Sequence, residues 1–154
     1  MELLTRARFL ASLLPLTLAA QDQGGRRIEE ELFSNMNRAR KSRGLPRLVW
    51  SEQLAGQARR HSENMSSHGF FSHNDPGLGN PATRLRRSGI AFSACAENIY
   101  RQSRVRGAAR AALAAWMRSR GHRLNLMNPA YHDTGIGVAT MSTGRVTITQ
   151  LFVG

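Results

Sequence analysis

Only one cysteine, Cys95, stands in this chain of 154 residues, so no disulfide can form within it. A chain of this length needs none, because it buries about two-thirds of its unfolded surface on folding. A lone thiol in an exported chain is either reactive, paired between chains, or a small core residue. Free cysteine is among the most buried residue types, and Cys95 is read as core. Aromatic residues are also scarce, at 6%, and do not interleave with the basic ones. That argues against a stacking platform for single-stranded nucleic acid, and no specific nucleic-acid partner is expected. No apolar run reaches the roughly 20 residues that cross a bilayer. No internal repeat or low-complexity block is present.

Acidic residues are few: 10 Asp and Glu stand against 22 Lys and Arg, a formal net charge of +12. All of the basic residues except Lys41 are arginine. A surface of this sign attracts polyanions, such as anionic lipid headgroups or acidic wall polymers. The arginines are scattered, densest at Arg38–Arg43, Arg84–Arg87 and Arg101–Arg110. They are read first as a solvated surface, with an anionic surface or polymer as a further partner class.

The first 20 residues have the layout of a cleavable secretory signal. Arg6 and Arg8 open it, Phe9 to Ala20 is uncharged and apolar, and the small residues Ala19 and Ala20 close it. The apolar run is short and contains Pro15, which argues against a permanent anchor. The sequence therefore predicts a signal peptide over 1–20, a polar mobile lead-in over 21–27, and one soluble domain over 28–154. The expected location is secreted, extracellular or periplasmic. The domain is expected to be a monomer with a charge of about +11.

Along that domain the apolar spacing predicts three long helices. Ile28, Leu32, Phe33, Met36 and Ala39 lie on one helical face, stopped by Gly44 and Pro46. Ser51 is a good N-cap for a second helix carrying Leu54, Ala58, His61 and Met65, ended by Gly69. His61 sits on that apolar stripe and is read as a core histidine. Pro81–Arg87 is a short helix with proline at its favoured first position. Arg106–Arg118 is the third long helix, with Gly121 as its stop. Leu48–Trp50 reads as a link and residues 91–100 as irregular or extended. Residues 134–141 and 145–153 are β-rich around Ser142-Thr143-Gly144 and predict an antiparallel hairpin. The fold class is α+β, with helices packed on a sheet.

Several short stretches go further. They are Asn37-Arg38-Ala39-Arg40 with Gly44-Leu45-Pro46; Phe71-Ser72-His73; Ala96-Glu97-Asn98-Ile99; Trp116 to Asn125, which contains Ser119-Arg120-Gly121-His122-Arg123; and Tyr131 with Gly135-Ile136-Gly137-Val138 and Thr149-Gln150-Leu151-Phe152. In this order they resemble the CAP superfamily of cysteine-rich secretory proteins, antigen 5 and pathogenesis-related proteins, in its bacterial SCP-like extracellular branch. The resemblance covers residues 30–153. It implies a single-domain, three-layer α-β-α sandwich with an open cleft. Many members line that cleft with two histidines and two acids, and the histidines can hold a divalent metal.

Carried over by position, the resemblance implies His73 and His122 as the histidines and Glu97 as the first acid. The second acid would stand three residues after Trp116, where this chain has Ser119. The implied cleft is thus His73, Glu97, Ser119 and His122, with His73, His122 and Glu97 as candidate ligands of Zn²⁺ or another divalent metal. Two imidazoles and a carboxylate can hold zinc and leave a position open for water. The same groups without metal can do acid–base work near neutral pH, or can simply form a hydrogen-bonded cluster that organises loops. The family association is with lipid binding, defence and extracellular signalling, so the leading expectation is a secreted module for a lipid or other small extracellular ligand. An alternative is a hydrolase, metal-assisted or built from Ser119, His122 and Glu97. No sharp nucleophile turn surrounds Ser119. Asn98 and Asn125 are expected to brace the cleft loops, and Gly135 and Gly137 to permit close backbone approach or bulging. Trp116, Gln150 and Phe152 are expected in the core or behind the cleft.

Overall fold

The computed structural model describes the backbone of residues 2–154 and the side chains of residues 22–154. The signal-peptide reading rests on side chains outside the described residues. Among the described residues, no helix is long and apolar enough to cross a membrane.

Four strands form one sheet in the order β1-β3-β4-β2. The antiparallel hairpin predicted near the C-terminus is its centre: β3 (Asp133–Thr140) pairs with β4 (Val146–Val153) in the register Gly137 to Thr149. The segment expected to be irregular or extended is β2 (Cys95–Gln102), antiparallel to β4 with Glu97 opposite Leu151. The supposed link Leu48–Trp50 contributes β1 (Val49–Trp50), which pairs in parallel with the start of β3.

The alternation of β4 separates two cores. Val146, Ile148 and Phe152 face α1 (Glu2–Lys41) and α4 (Ala108–Arg118), where they meet Leu32, Met36, Ala112 and Trp116. Leu151 and Val153 face the other way, toward Leu54 and Ala58 of α2 (Glu52–Ser67) and Leu85 of α3 (Pro81–Arg87). A strand with both faces covered reads as a continuous buried run, and every residue of β4 is buried. The result is the expected three-layer α-β-α sandwich.

The α2 layer approaches β3 closely. A Cβ on Gly135 would fall into the backbone at Leu54–Ala55, and one on Gly137 into the backbone at Ala58–Arg59. Only glycine at both positions lets the helix lie there. Ser62 on α2 then donates to Gly137 O at 2.8 Å, and Ser66 bonds Thr147 Oγ1 at 3.0 Å.

Several boundaries differ from the sequence reading. The first helix does not start at Ile28; residues 22–27 are helical too, and Gly25 packs against Val138. The third long helix starts at Ala108, because Gly107 takes a left-handed φ of 72° just before it. Gly121 is not its stop. The helix ends at Arg118, Ser119 is extended, and a new helix, α5 (Arg120–Leu126), carries Gly121. Ser119 is the N-cap residue of that helix, a position serine favours. Cys95 is only partly buried, against the Leu54–Leu151 core.

Two arginines from the basic runs are buried rather than solvated. Arg40 is fully buried, and donates to Pro46 O, Leu126 O and Asn128 O. It thereby satisfies carbonyls at the C-terminal end of α5, where a cation also complements the helix dipole. Burial lowers its pKa. Arg84 is the second buried arginine, and it belongs to the cleft.

Candidate functional site

The residues expected to line a cleft lie at the free edge of β2, the outermost strand on that side of the sheet. Glu97, on β2, is the fixed point. Its side chain is 1% exposed. Arg84 of α3 donates to Glu97 Oε2 at 2.7 Å, and His73 Nδ1 donates to Glu97 Oε1 at 2.9 Å. An ionised carboxylate inside a protein needs such partners, because an unpaired buried charge is costly.

His73 sits on the loop between α2 and α3, and this loop is tied down at several points. Asp75 accepts from Gly77 N and Leu78 N through Oδ1 and from Asn64 through Oδ2, and its backbone pairs with Gly79. Arg84 also donates to His73 O at 3.1 Å and Gly79 O at 3.2 Å. One guanidinium thus binds the carboxylate and the loop that the carboxylate orients. The bond through Nδ1 fixes the His73 ring, with Nε2 making no hydrogen bond among the described residues and the side chain half exposed.

His122 comes from the opposite layer. It lies on α5, half-buried, and Asn98 Nδ2 donates to its carbonyl at 3.1 Å. Asn125 in turn donates to Asn98 Oδ1 at 2.9 Å. The two asparagines therefore brace the cleft, as their positions suggested. Burial pushes the His122 pKa below the ordinary histidine value, and the nearby His73 pushes it the same way. The neutral imidazole is the favoured form.

The structure brings His73 and Glu97 into direct contact and sets His122 within electrostatic range of His73. It gives Glu97 no bond to His122. Ser119 is half-buried at the start of α5, and its side chain makes no capping hydrogen bond. Among the described residues, no group of three or more His, Cys, Asp or Glu side chains is arranged to hold a metal ion.

Two members of the site were not read as such from the sequence. Arg84 looked like part of a surface basic run. His61 was read as a core histidine, and it is buried, but it also lies under the cleft. Its Nε2 donates to Ser72 O at 3.0 Å and stands 3.7 Å from Glu97 Oε1. A carbonyl only accepts, so Nε2 carries the proton and Nδ1 is bare. That Nδ1 has no hydrogen-bond partner and faces Asp75 Oδ2 at 3.8 Å. Burial dominates and lowers the His61 pKa, against the opposing pull of Glu97. The spacing Phe71-Ser72-His73 held the only sequence signal for this contact, through the carbonyl of Ser72.

The sandwich, the β2-edge cleft and the glycine-seated helix all invite comparison with known proteins. The family model described as CAP, the cysteine-rich secretory protein family, matches residues 33–153. The chain belongs to the CAP family. The Bacillus subtilis (strain 168) protein YkwD is 32% identical to this CAP protein over 126 residues, covering 82% of this chain and 47% of YkwD. A crystal structure of an extracellular protein containing an SCP domain, from Bacillus anthracis str. Ames, is 34% identical with a TM-score of 0.78, covering 86% of this chain and 42% of that one. An outer surface protein of Borrelia burgdorferi shares the fold at 18% identity, with a TM-score of 0.75, covering 82% of this chain and 92% of that one. This CAP chain therefore spans less than half the length of YkwD and of the Bacillus anthracis protein.

Proposed function

We propose that this CAP protein is an exported binding module whose β2-edge cleft takes a small extracellular ligand, with His73 and His122 as the contact groups and a divalent metal as an additional occupant. The observation that carries this reading is the His73–Glu97–Arg84 chain. It holds one imidazole rigidly, and a second imidazole, His122, lies within electrostatic range with its pKa lowered by burial. Preorganised side chains of this kind lose little freedom when a ligand arrives. Export is supported by the layout of residues 1–20 and by the extracellular description of the Bacillus anthracis relative.

Zinc fits this site in one form and not in another. Both Glu97 oxygens already hold strong partners, so Glu97 does not fit as a direct ligand. The two imidazoles are the groups that would hold the ion, with Glu97 acting through His73, as carboxylates behind zinc-bound histidines do. A bound ion would supply a Lewis-acidic position for an anionic or carbonyl-bearing ligand. The protein's own residues do the rest: Glu97 sets the His73 ring, Arg84 holds the Glu97 carboxylate in place, and Asn98 and Asn125 hold the α5 backbone. Lipid is the first organic ligand class to test, because the exposed ring of Phe71 adjoins this loop, with Arg101 stacked 4.7 Å over it.

Calorimetric titration of Zn²⁺ tests the reading. His73→Ala and His122→Ala should each abolish most binding, and Glu97→Gln should weaken it by about 10- to 100-fold. Binding should fall as pH drops through about 6, where histidines protonate. Unchanged binding in both alanine variants would overturn the metal site. A lipid bound equally by those variants would overturn the cleft as the ligand site.

A further inference from the structure

The outer face of α1 carries a second feature that shares no residue with the cleft. After Glu31 the helix has no acid, and Ser34, Arg38 and Lys41 recur at i, i+4 and i+7, on one side of it. Asn37, one residue before Arg38, is buried and exchanges two hydrogen bonds with Leu48, donating to its carbonyl at 3.1 Å and accepting from its N–H at 2.8 Å. This pins the returning segment and sets Arg47 across from Arg38 and Lys41. The three cations line a concavity of about 170 Å³ together with Ser34 and Asn37. Arg38 also borders a wider groove of about 520 Å³, lined by Arg43, Arg110 and the neutral residues between α1 and α4.

Among the described residues, no acid lines either concavity. The nearest ion pair is Arg110 with Glu31 at 3.4 Å, both largely solvated. Among the described residues, Arg38, Lys41, Arg43 and Arg47 form no ion pair. Most of the acids lie elsewhere: Glu29 and Glu52 are tied up with Arg59, and Asp75 and Glu97 are buried. Five cations, Arg38, Lys41, Arg43, Arg47 and Arg110, thus surround two hollows that share Arg38.

We propose that this face binds a linear phosphate-bearing polymer, with one phosphate seated among Arg38, Lys41 and Arg47 and the chain continuing along the groove past Arg43 and Arg110. Arginine forks and a lysine ammonium are the groups that recognise phosphate oxygens. A membrane is disfavoured as the occupant, because none of the exposed large apolar residues, Val49, Phe71, Val105 and Leu124, lines either hollow. Bases of a nucleic acid would find no aromatic ring there to stack on. Recognition is of backbone phosphates alone.

The test uses the full chain with inorganic polyphosphate as the probe. Binding should weaken steeply with salt, as it does when a polyanion releases counterions. The triple variant Arg38→Gln/Lys41→Gln/Arg47→Gln should lose at least about tenfold in affinity, with a shallower salt slope. The control Arg60→Gln/Arg104→Gln/Arg145→Gln removes the same charge from exposed positions elsewhere and should lose less than about threefold. His73→Ala/His122→Ala should bind polyphosphate normally, which separates this face from the cleft. Equal losses in the two triple variants would overturn the proposal by showing a general charge effect. So would no binding at low salt, or tighter binding to phosphatidylglycerol vesicles than to polyphosphate. Unfolding midpoints matched to the parent protein show that each variant is folded.

Discussion

Arg84 and Glu97 meet at 2.7 Å with both side chains almost wholly excluded from water. The pair joins α3 to β2 and, through His73, the loop above them. Removing one member strands the other charge in a low-dielectric site, which costs about 3–5 kcal/mol. Arg84→Met should therefore be strongly destabilising in urea unfolding, and it should also loosen His73. The double variant Arg84→Met/Glu97→Leu should recover part of that loss, because no charge remains unpaired. A single variant within about 1 kcal/mol of the parent would show that solvent reaches the pair.

His61 makes stability depend on acid. Its folded pKa is lowered, chiefly by burial, so on acidification the unfolded chain takes up a proton before the folded one. The stabilisation is fully present above about 6.5, the unfolded histidine value, and is lost as pH falls toward the folded pKa. His122 is shifted in the same direction and adds to the effect. Asp75 and Glu97 face the ring and moderate the loss, while Arg84 works against protonation. Urea midpoints measured from about pH 8 to about pH 5, the span in which histidine titrates, should fall. The variant His61→Gln, which keeps a donor near Ser72 O, should flatten the curve. An identical curve in that variant would refute this assignment.

Two glycines, one at the contact between β3 and α2 and one on the exposed side of α2, should respond with opposite sign. Gly137→Ala places a carbon into the α2 backbone and should cost about 3 kcal/mol, the upper range for overpacking. Gly56→Ala lies on α2 itself, where an added Cβ meets nothing within 4 Å. It should stabilise by about 0.5–1 kcal/mol, because alanine favours the helix. Thermal melts of the two variants check both, and a neutral Gly137→Ala would mean that the helix floats free of the sheet.

The order of helices, the hairpin and the stripe of Ile28, Leu32 and Met36 were legible because each depends on local periodicity. Three features were not. α5 was hidden because Gly121 reads as a helix stop when taken with the residues before it. Taken with Ser119 as a cap, it is an early position of the next helix. β1 is two residues long and exists only because β3 offers it a partner. Arg40 and Arg84 look like any exposed arginine in a basic run; their burial is decided by the carbonyls of Leu126 and Asn128 and by the Glu97 carboxylate. The positions of His73, Glu97 and His122 followed from family resemblance. That Glu97 turns toward His73 and Arg84 depends on how the loop folds back over β2, which no spacing encodes.

The His73 and His122 imidazoles come from opposite layers, His73 from the α2–α3 side and His122 from the α4–α5 side. A ligand bridging them would act as a clasp across the whole sandwich. Its binding energy would then appear as resistance to global unfolding, about 2.7 kcal/mol at a hundredfold excess over its dissociation constant. Conversely, any strain that slides one helical layer against the sheet would part the imidazoles and release the ligand. The cleft would then serve as a gauge of the mechanical integrity of the domain.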